Sequence, residues 1–482
     1  MKIALINPRI ESYSTSLPPL GLLYIGAVLE KEKYDIKIYD PLPNDKTYLE
    51  KIIHFNPDII GVSVLTSYLY RTKYIIEQVR EKLKGVIIII GGVHPTAVPQ
   101  ESFNFLKPDF IVRGEGEYVM RELCLRLKEG KSFENIQGLC YFREGKLLIS
   151  QPATSIENLD ELPLPARHLI NFKKYLFPPG VIRGYWSERC TSVMTSRGCP
   201  FQCIWCGTQT IFGHKVRRRS VLNVIKELEL LIKNYNVDSV WFVDDTFTLD
   251  KKWVIEFCNQ IITRKIRLKW GCQAHVNTID EEMLKIMKRA GLIQIDFGVE
   301  SGSEKVLKAL KKGSNIQNIK RAFSITKSLG IRRMATFIFN NPEETEEDIR
   351  KTFKIAKEIK PDFVSSFFLT PFPGTELMDI AKERGWLVSD NYLMGGLKKE
   401  PLLKIHFTKE KLFKIRRKFQ RQFLWTNFFS LIFKPRYLAK IILLFFSYPK
   451  GILKGLSLFL KTKVFDDFVF GFLIYYAEKR QQ

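Results

Sequence analysis

A chain of 482 residues is too long for one hydrophobic core, so two or three domains are expected, and its 45% hydrophobic content is ordinary for a globular protein. The formal charge of +25 is not ordinary, but it is unevenly spread: from Lys409 onward 16 basic residues face 4 acidic ones, a net of +12 in 74 positions. That lopsidedness excludes a uniformly basic nucleic-acid binder.

The start, Met1-Lys-Ile-Ala-Leu-Ile-Asn-Pro8, is broken too soon to be a signal peptide. No run reaches the roughly 18–20 apolar residues that span a bilayer. The longest candidate, Ile441 to Phe446, is flanked by Lys440 and by Tyr448-Pro449-Lys450. A cytoplasmic protein with reduced thiols is expected. Five of the eight cysteines (Cys124, Cys140, Cys190, Cys258 and Cys272) are scattered without pattern, which argues against a disulfide framework.

From residue 1 to about 150, short apolar runs alternate with helical patterns, the βαβ signal of a doubly wound parallel sheet. Strands are expected at Lys2–Ile6, Ile36–Tyr39, Ile59–Val64, Val86–Ile90 and Phe110–Val112, with helices near Leu20–Glu30, Thr47–Ile53, Tyr68–Leu83 and Tyr118–Leu127. Such sheets bind ligands beyond the carboxyl ends of their strands. There lie Asn7-Pro8-Arg9, Ser63-Val64-Leu65-Thr66, Gly91-Gly92-Val93-His94 and Arg113-Gly114-Glu115-Gly116-Glu117. Paired glycines after a strand let backbone approach a ligand closely, although a plain turn accounts for them equally well.

Together with Pro18-Pro19-Leu20-Gly21-Leu22, these segments resemble the cobalamin-binding half of the B12-dependent radical S-adenosylmethionine (SAM) proteins. The resemblance implies a Rossmann-like cobalamin domain, with contacts from Ser63, Leu65, Gly91, Gly92, His94, Gly114 and Glu115. The Asp-x-His-x-x-Gly loop that supplies a lower axial histidine in other cobalamin proteins is absent; Asn7-Pro8-Arg9-Ile10 stands in its place. Bound cobalt should therefore lack a histidine from this loop. His94 is either a contact to the corrin or its tail, or a turn residue.

Residues 151–189 mix acids and prolines, as in Glu157-Asn-Leu-Asp-Glu-Leu-Pro-Leu-Pro-Ala-Arg-His168, and read as a linker. The loop Ser196-Arg197-Gly198-Cys199-Pro200-Phe201-Gln202-Cys203-Ile204-Trp205-Cys206 follows. Three cysteines so spaced can converge on one inorganic centre. Spacing alone leaves zinc open, since His214 could complete a Cys₃His site. The pattern Cys-x₃-Cys-x-aromatic-Cys resembles the signature of the radical SAM superfamily. By that resemblance Cys199, Cys203 and Cys206 hold a [4Fe-4S] cluster whose fourth iron chelates SAM, and Trp205 lies near the cluster and the adenine. Reductive cleavage of the sulfonium would give a 5′-deoxyadenosyl radical.

Residues 190–400 continue as about six strand–helix units, the count of the partial barrel in radical SAM enzymes, where function gathers at the carboxyl ends of strands. Asp244-Asp245 closes the apolar strand Ser239–Val243, where two acids are costly unless they bind something, or else cap the next helix. The resemblance has this strand end help hold the SAM amino group. Phe297-Gly-Val-Glu300-Ser301-Gly302 matches the superfamily's Gly-x-Glu-Ser-Gly segment and makes Glu300, with Ser301, the SAM contact. Asn340-Asn341-Pro342-Glu343-Glu344 departs from a pattern that usually has glycines near Asn340 and Glu343, in a loop that usually meets adenine. His275, at another strand end, is either a proton donor or a satisfied structural residue.

Residues 401–482 form a basic, aromatic, helical tail. Leu412, Ile415, Phe419 and Phe423 fall at helical spacing among lysines and arginines. Further apolar clusters lie at Phe428–Phe433, Ile441–Phe446, Leu456–Leu460 and Phe468–Tyr476. Such faces suit an anionic membrane surface, the favoured reading, or cap the barrel.

The sequence thus points to a cytoplasmic enzyme, peripheral on the inner membrane face. The resemblance implies a cobalamin-dependent methyltransferase acting on an unactivated carbon, with a hydrophobic or lipid substrate and a one-electron reductant such as ferredoxin or flavodoxin. A lipid or tetrapyrrole cyclase is the alternative chemistry; a zinc-structured, membrane-associated binding protein is the non-enzymatic one.

Overall fold

The computed structural model describes residues 1–9, 17–41, 45, 47–176, 182, 189–388, 400–432, 446–462 and 475. Two parallel-rich sheets organise them. The first runs β2-β1-β3-β4-β5-β6-β7, with β1 Lys2–Ile6, β2 Asp35–Tyr39, β3 Ile59–Ser63, β4 Ile87–Gly91, β5 Phe110–Val112, β6 Leu139–Arg143 and β7 Lys146–Ile149. Strands β1 to β5 pair in parallel, as the alternation of elements requires. β6 and β7 add an antiparallel hairpin that the sequence reading lacks.

Side-chain alternation shows why the sheet is covered twice. In β1, Ile3 and Leu5 pack with Leu23, Leu29, Met120 and Leu123 from the helices Leu20–Lys31 and Gly116–Glu129. Ala4 and Ile6 point the other way, toward Ile52, Phe55, Ile75 and Ile76 of Tyr48–Phe55 and Leu69–Lys82. A strand buried on both faces must be apolar throughout. Strand order reverses at β1, so β1 and β3 flank the switch point where such sheets bind ligands.

The second sheet contains β8 Cys190–Val193, β11 Ser239–Phe242, β12 Lys269–Ala274, β13 Leu292–Glu300, β14 Arg332–Phe339 and β15 Phe363–Phe368. All six are parallel and follow chain order, the arrangement of a partial (β/α)₆ barrel. A short antiparallel pair, β9 Ser196–Arg197 with β10 Arg217–Arg218, brackets the cysteine loop. Helix starts are well capped: Ser220, Asp280 and Asn315 accept from the third backbone N–H, and Thr345 with Asp348 forms a capping box.

Helix Lys409–Ile432 corrects the reading of the tail's first part as a membrane face. Leu412, Phe419 and Phe423 are buried in the barrel core, and the Phe419 ring meets Phe337, Phe339 and Phe353 at centroid distances of 5.1, 5.1 and 4.9 Å. This helix caps the barrel. The expected clusters at 441–445 and 468–474 lie outside the described residues. No helix among the described residues is long and apolar enough to cross a membrane.

Candidate functional site

The cysteine loop owes its shape to Gly198. Its φ is +94°, and an added Cβ would lie 2.3 Å from the Lys215 carbonyl oxygen, so no side chain fits. The residues just before it are held by Asp244, whose carboxylate accepts from the Thr195 N–H (3.0 Å), the Thr195 hydroxyl (2.8 Å) and the Ser196 hydroxyl. Asp244 is 1% exposed and thus serves the loop. Its neighbour Asp245 accepts from Thr208 Oγ1 (2.8 Å), and burial raises its pKa. Thr246 Oγ1 lies 3.8 Å from the Cys199 sulfur.

Cys203 is buried, and Cys199 and Cys206 are half-buried. Burial pushes the Cys203 thiol up to about 12 and the Cys199 thiol upward, and each also feels the charge of Cys206. Thiols in this setting ionise beside a cation, such as the Lys312 ammonium near Cys203 or the iron of a cluster. Among the described residues no three His, Cys, Asp or Glu side chains converge as on a single ion, and His214 is exposed. A cluster, in contrast, takes each thiolate on a separate iron, and Cys199, Cys203 and Cys206, close enough in one loop for Cys199 and Cys203 to feel the charge of Cys206, suit it.

Glu300 stands at the end of β13, where a register shift between Gly298 and Glu300 re-aims the chain and gives Glu300 a φ of +64°. Its Oε1 takes the Lys312 ammonium at 3.0 Å; its Oε2 is buried without a partner. Lys312 is 8% exposed, sits 5.6 Å from the Trp205 ring centroid, and is felt electrostatically by Cys203. A carboxylate with one orphaned oxygen and a buried ammonium, both beside the cysteine loop, fit the amino and carboxylate groups of SAM. Ser301 turns instead into the fold: its Oγ meets Thr352 Oγ1 (3.2 Å) and accepts from the Ser303 N–H.

His275 has both ring nitrogens engaged. Nε2 donates to the Lys312 carbonyl (3.0 Å), and Nδ1 accepts from the Asn277 N–H (3.3 Å). Its ring stacks on Phe201 of the cysteine loop, centroids 3.7 Å apart, and burial lowers its pKa to about 4. The residue therefore holds the cysteine loop against the segment that carries Lys312. In the Asn340–Glu344 loop, Asn340 (φ +70°) and Glu343 (φ +61°) occupy the left-handed backbone that glycine usually takes, so the loop's shape survives the change of residue. Glu344 ties it together by accepting from the Asn340 and Asn341 N–H groups.

At the carboxyl end of the first sheet lies an apolar cavity of about 240 Å³, lined by Ser63, Leu65, Gly91, Gly92, Gly114 and Glu115 among others. Gly92 has φ +105°, and a Cβ there would lie 2.9 Å from the Val64 carbonyl oxygen. The volume is below that of a drug-sized site, so it fits a part of a cobalamin no larger than its tail base and not the corrin macrocycle. His94 does not line this cavity. It is 1% exposed, faces Thr66 Oγ1 at 3.1 Å, and is lowered to about 4 by burial. Met194, Arg197, Ile211 and Phe212 from the other sheet's side close the cavity. The cavity thus shares a wall with the segment that carries the cysteine loop.

A family model of the radical SAM superfamily matches residues 193–356, and one of the B12 binding domain matches residues 7–124. An uncharacterized methyltransferase of Pyrococcus horikoshii is 35% identical over 92% of this chain and 95% of its own length. The chain belongs to the B12-binding radical SAM proteins. As a member of that family it is an enzyme, with a [4Fe-4S] cluster, SAM and cobalamin as cofactors. Another relative is the anaerobic magnesium-protoporphyrin IX monomethyl ester cyclase of Rubrivivax gelatinosus, 30% identical over 78% of this chain and 69% of its own. The fold is also that of the radical SAM methyltransferase TsrM from Kitasatospora setae, with a TM-score of 0.67, 19% identity, and coverage of 81% of this chain and 76% of that one.

Sequence reasoning missed Lys312 and Arg217, and gave no role of their own to Phe201 and Glu117 within the segments it singled out. For Lys312 no local signal exists: Lys311 beside it is half exposed and pairs with Glu376, and the sequence does not say which of the two turns inward.

Proposed function

We propose that this enzyme transfers a methyl group to an unactivated carbon of a hydrophobic substrate. The shared wall carries this reading: the cavity beyond β3 and β4 and the cysteine loop meet at Met194, Arg197 and Phe212, which suits two cofactors working on one substrate. When bound, the cluster and SAM supply the radical that removes a substrate hydrogen, and cobalamin supplies the methyl group.

Cys199, Cys203 and Cys206 would each hold one iron. Glu300 Oε2 would accept from the SAM amino group while Lys312 neutralises its carboxylate, and Trp205 would cover the adenine side. Asp245 stands at the same strand end. Ser63, Leu65, Gly91, Gly92 and Gly114 would line the cobalamin, with residues 1–150 as its domain, 151–189 as linker and 190–400 as the radical core. The outer face of helix Pro449–Thr462 supports a lipid-soluble substrate. Leu453, Leu456 and Leu460 are 66%, 41% and 61% exposed at i, i+3 and i+7, beside Lys450 and Lys454. That pattern suits an anionic membrane surface.

The cyclase relative favours carbon–carbon ring closure as the second reading. Anaerobic turnover with isoprenoid, lipid and tetrapyrrole candidates separates the two. Methyl transfer consumes two SAM, yielding 5′-deoxyadenosine from one and S-adenosylhomocysteine from the other, and puts the labelled methyl group into the product, whereas ring closure forms no S-adenosylhomocysteine. Ring closure yields 5′-deoxyadenosine with no label in the product.

A further inference from the structure

Four charges are buried where the two sheets' structures meet. Arg197 donates through Nη1 to Glu115 Oε2 (2.5 Å) and through Nη2 to Glu117 Oε1 (2.5 Å); Arg217 pairs with the other oxygen of Glu115. The four residues are 2–4% exposed. Tyr24, from the first sheet's helix Leu20–Lys31, and Phe212, beyond the cysteine loop, flank the Arg197 guanidinium at 5.4 and 5.5 Å.

Desolvating four charges costs as much as their attraction returns, so a buried ion cluster is a weak source of stability. It is a strong source of geometry, because a guanidinium fork reaching two carboxylates admits one orientation. Here the fork is two residues from Cys199, across Gly198, where no side chain fits. Asp244 pins Thr195 and Ser196 on the other side. The carboxylates sit in the Arg113–Glu117 turn, where Gly114 takes φ +81°, and Glu115, Glu117 and Arg197 themselves line the 240 Å³ cavity.

We propose that the clamp Glu115–Arg197–Glu117, with Arg217, couples the two cofactor sites, so that filling the cobalamin cavity and loading the cysteine loop reinforce each other. Arg197, Glu115 and Glu117 are positioning residues in this scheme. The inference rests on the cofactor assignment above but not on the substrate or the reaction. A cavity wall held in place by ligand holds Arg197, and Arg197 holds the backbone that presents Cys199. Reciprocity follows from linkage: the factor by which the cluster tightens cobalamin binding equals the factor by which cobalamin tightens the cluster.

The test measures hydroxocobalamin affinity by absorbance on cluster-loaded and cluster-free protein, and the rate of cluster loss to a chelator with and without cobalamin. In the wild type, loading the cluster should tighten cobalamin binding about tenfold, within the range usual for coupled sites, and cobalamin should slow cluster loss. Glu117→Gln and Arg197→Lys keep the shape or the charge but break the fork. In both, the individual affinities will change, because these side chains line the cavity, but the binding of each cofactor remains measurable and the coupling factor should fall to about one. Normal binding without coupling in the wild type, or wild-type coupling in both variants, would overturn the clamp alone. So would loss of folded circular dichroism in both, since the cluster would then be a structural core. A wild type that binds no cobalamin would overturn the clamp together with the function on which it rests.

Discussion

Lys312 carries the largest chemical burden of any residue that the sequence leaves unmarked. A buried ammonium beside Glu300 and Cys203 is costly unless its charge is used. Replacing it as Lys312→Met should weaken SAM binding by roughly 10–100-fold, the cost of a lost hydrogen bond to a charged group, and leave iron content unchanged. Equilibrium binding of SAM checks this, and an affinity within twofold of wild type would contradict it. Cys199→Ala, Cys203→Ala or Cys206→Ala should each abolish cluster and SAM cleavage, whereas Cys124→Ala or Cys258→Ala should spare both; iron analysis decides. The cysteines, Glu300 and the paired glycines were legible because local spacing marks them. Lys312 and the Arg197–Glu115 pair were not. A buried charge reveals itself only through its partner, and Glu115 lies 82 positions away from Arg197.

Among elements, strand and helix positions were readable wherever apolar runs alternated with amphipathic ones: Lys2–Ile6 and Phe110–Val112 were located to the residue. The hairpin Leu139–Ile149 escaped because its turn residues Glu144 and Gly145, at φ of 51° and 77°, lack the Asn-Gly or Asp-Gly pair that marks a tight hairpin in a sequence. Helix Lys409–Ile432 was legible as amphipathic but not as to the surface it meets, because an apolar stripe fits a barrel as well as a bilayer. Its packing makes Phe419→Ala costly. Emptying a fully buried phenylalanine site should destabilise the barrel by about 3–5 kcal/mol, read as a lowered urea midpoint. A change below about 1 kcal/mol would mean that the helix is not seated there.

At the scale of the whole molecule, burial sets the pH response. His94 and His275 stay neutral down to about pH 4 in the folded state, whereas the unfolded chain binds their protons below about 6.5. Stability is therefore lost as pH falls from 6.5 to 4. Glu344, raised to about 7 by burial from 4.5, acts in the opposite sense: its contribution is full at low pH and is lost as pH rises through 7. Two histidines outweigh one carboxyl, so the wild-type unfolding midpoint should be lower at pH 5 than at pH 7, and the sign of that difference should reverse in a His94→Gln, His275→Gln variant, where of these three groups Glu344 alone remains. The basic tail gives a second whole-molecule expectation. Full-length protein should float with anionic liposomes at low salt and release as salt rises. A chain ending after Ile432, which keeps the barrel cap, should stay at the bottom of the gradient; flotation of that truncated chain would remove helix Pro449–Thr462 as the docking face.

The central claim, that one chain holds a radical SAM cluster and a cobalamin against a common wall, is tested most directly by elemental and corrinoid analysis of anaerobically reconstituted protein. The expected result is a brown protein with about four irons, matching sulfide and about one cobalt per chain, the cobalt as extractable cobalamin. Electron paramagnetic resonance of its reduced cobalt should show no nitrogen from a protein histidine. A colourless protein that carries zinc and no corrinoid would contradict the account.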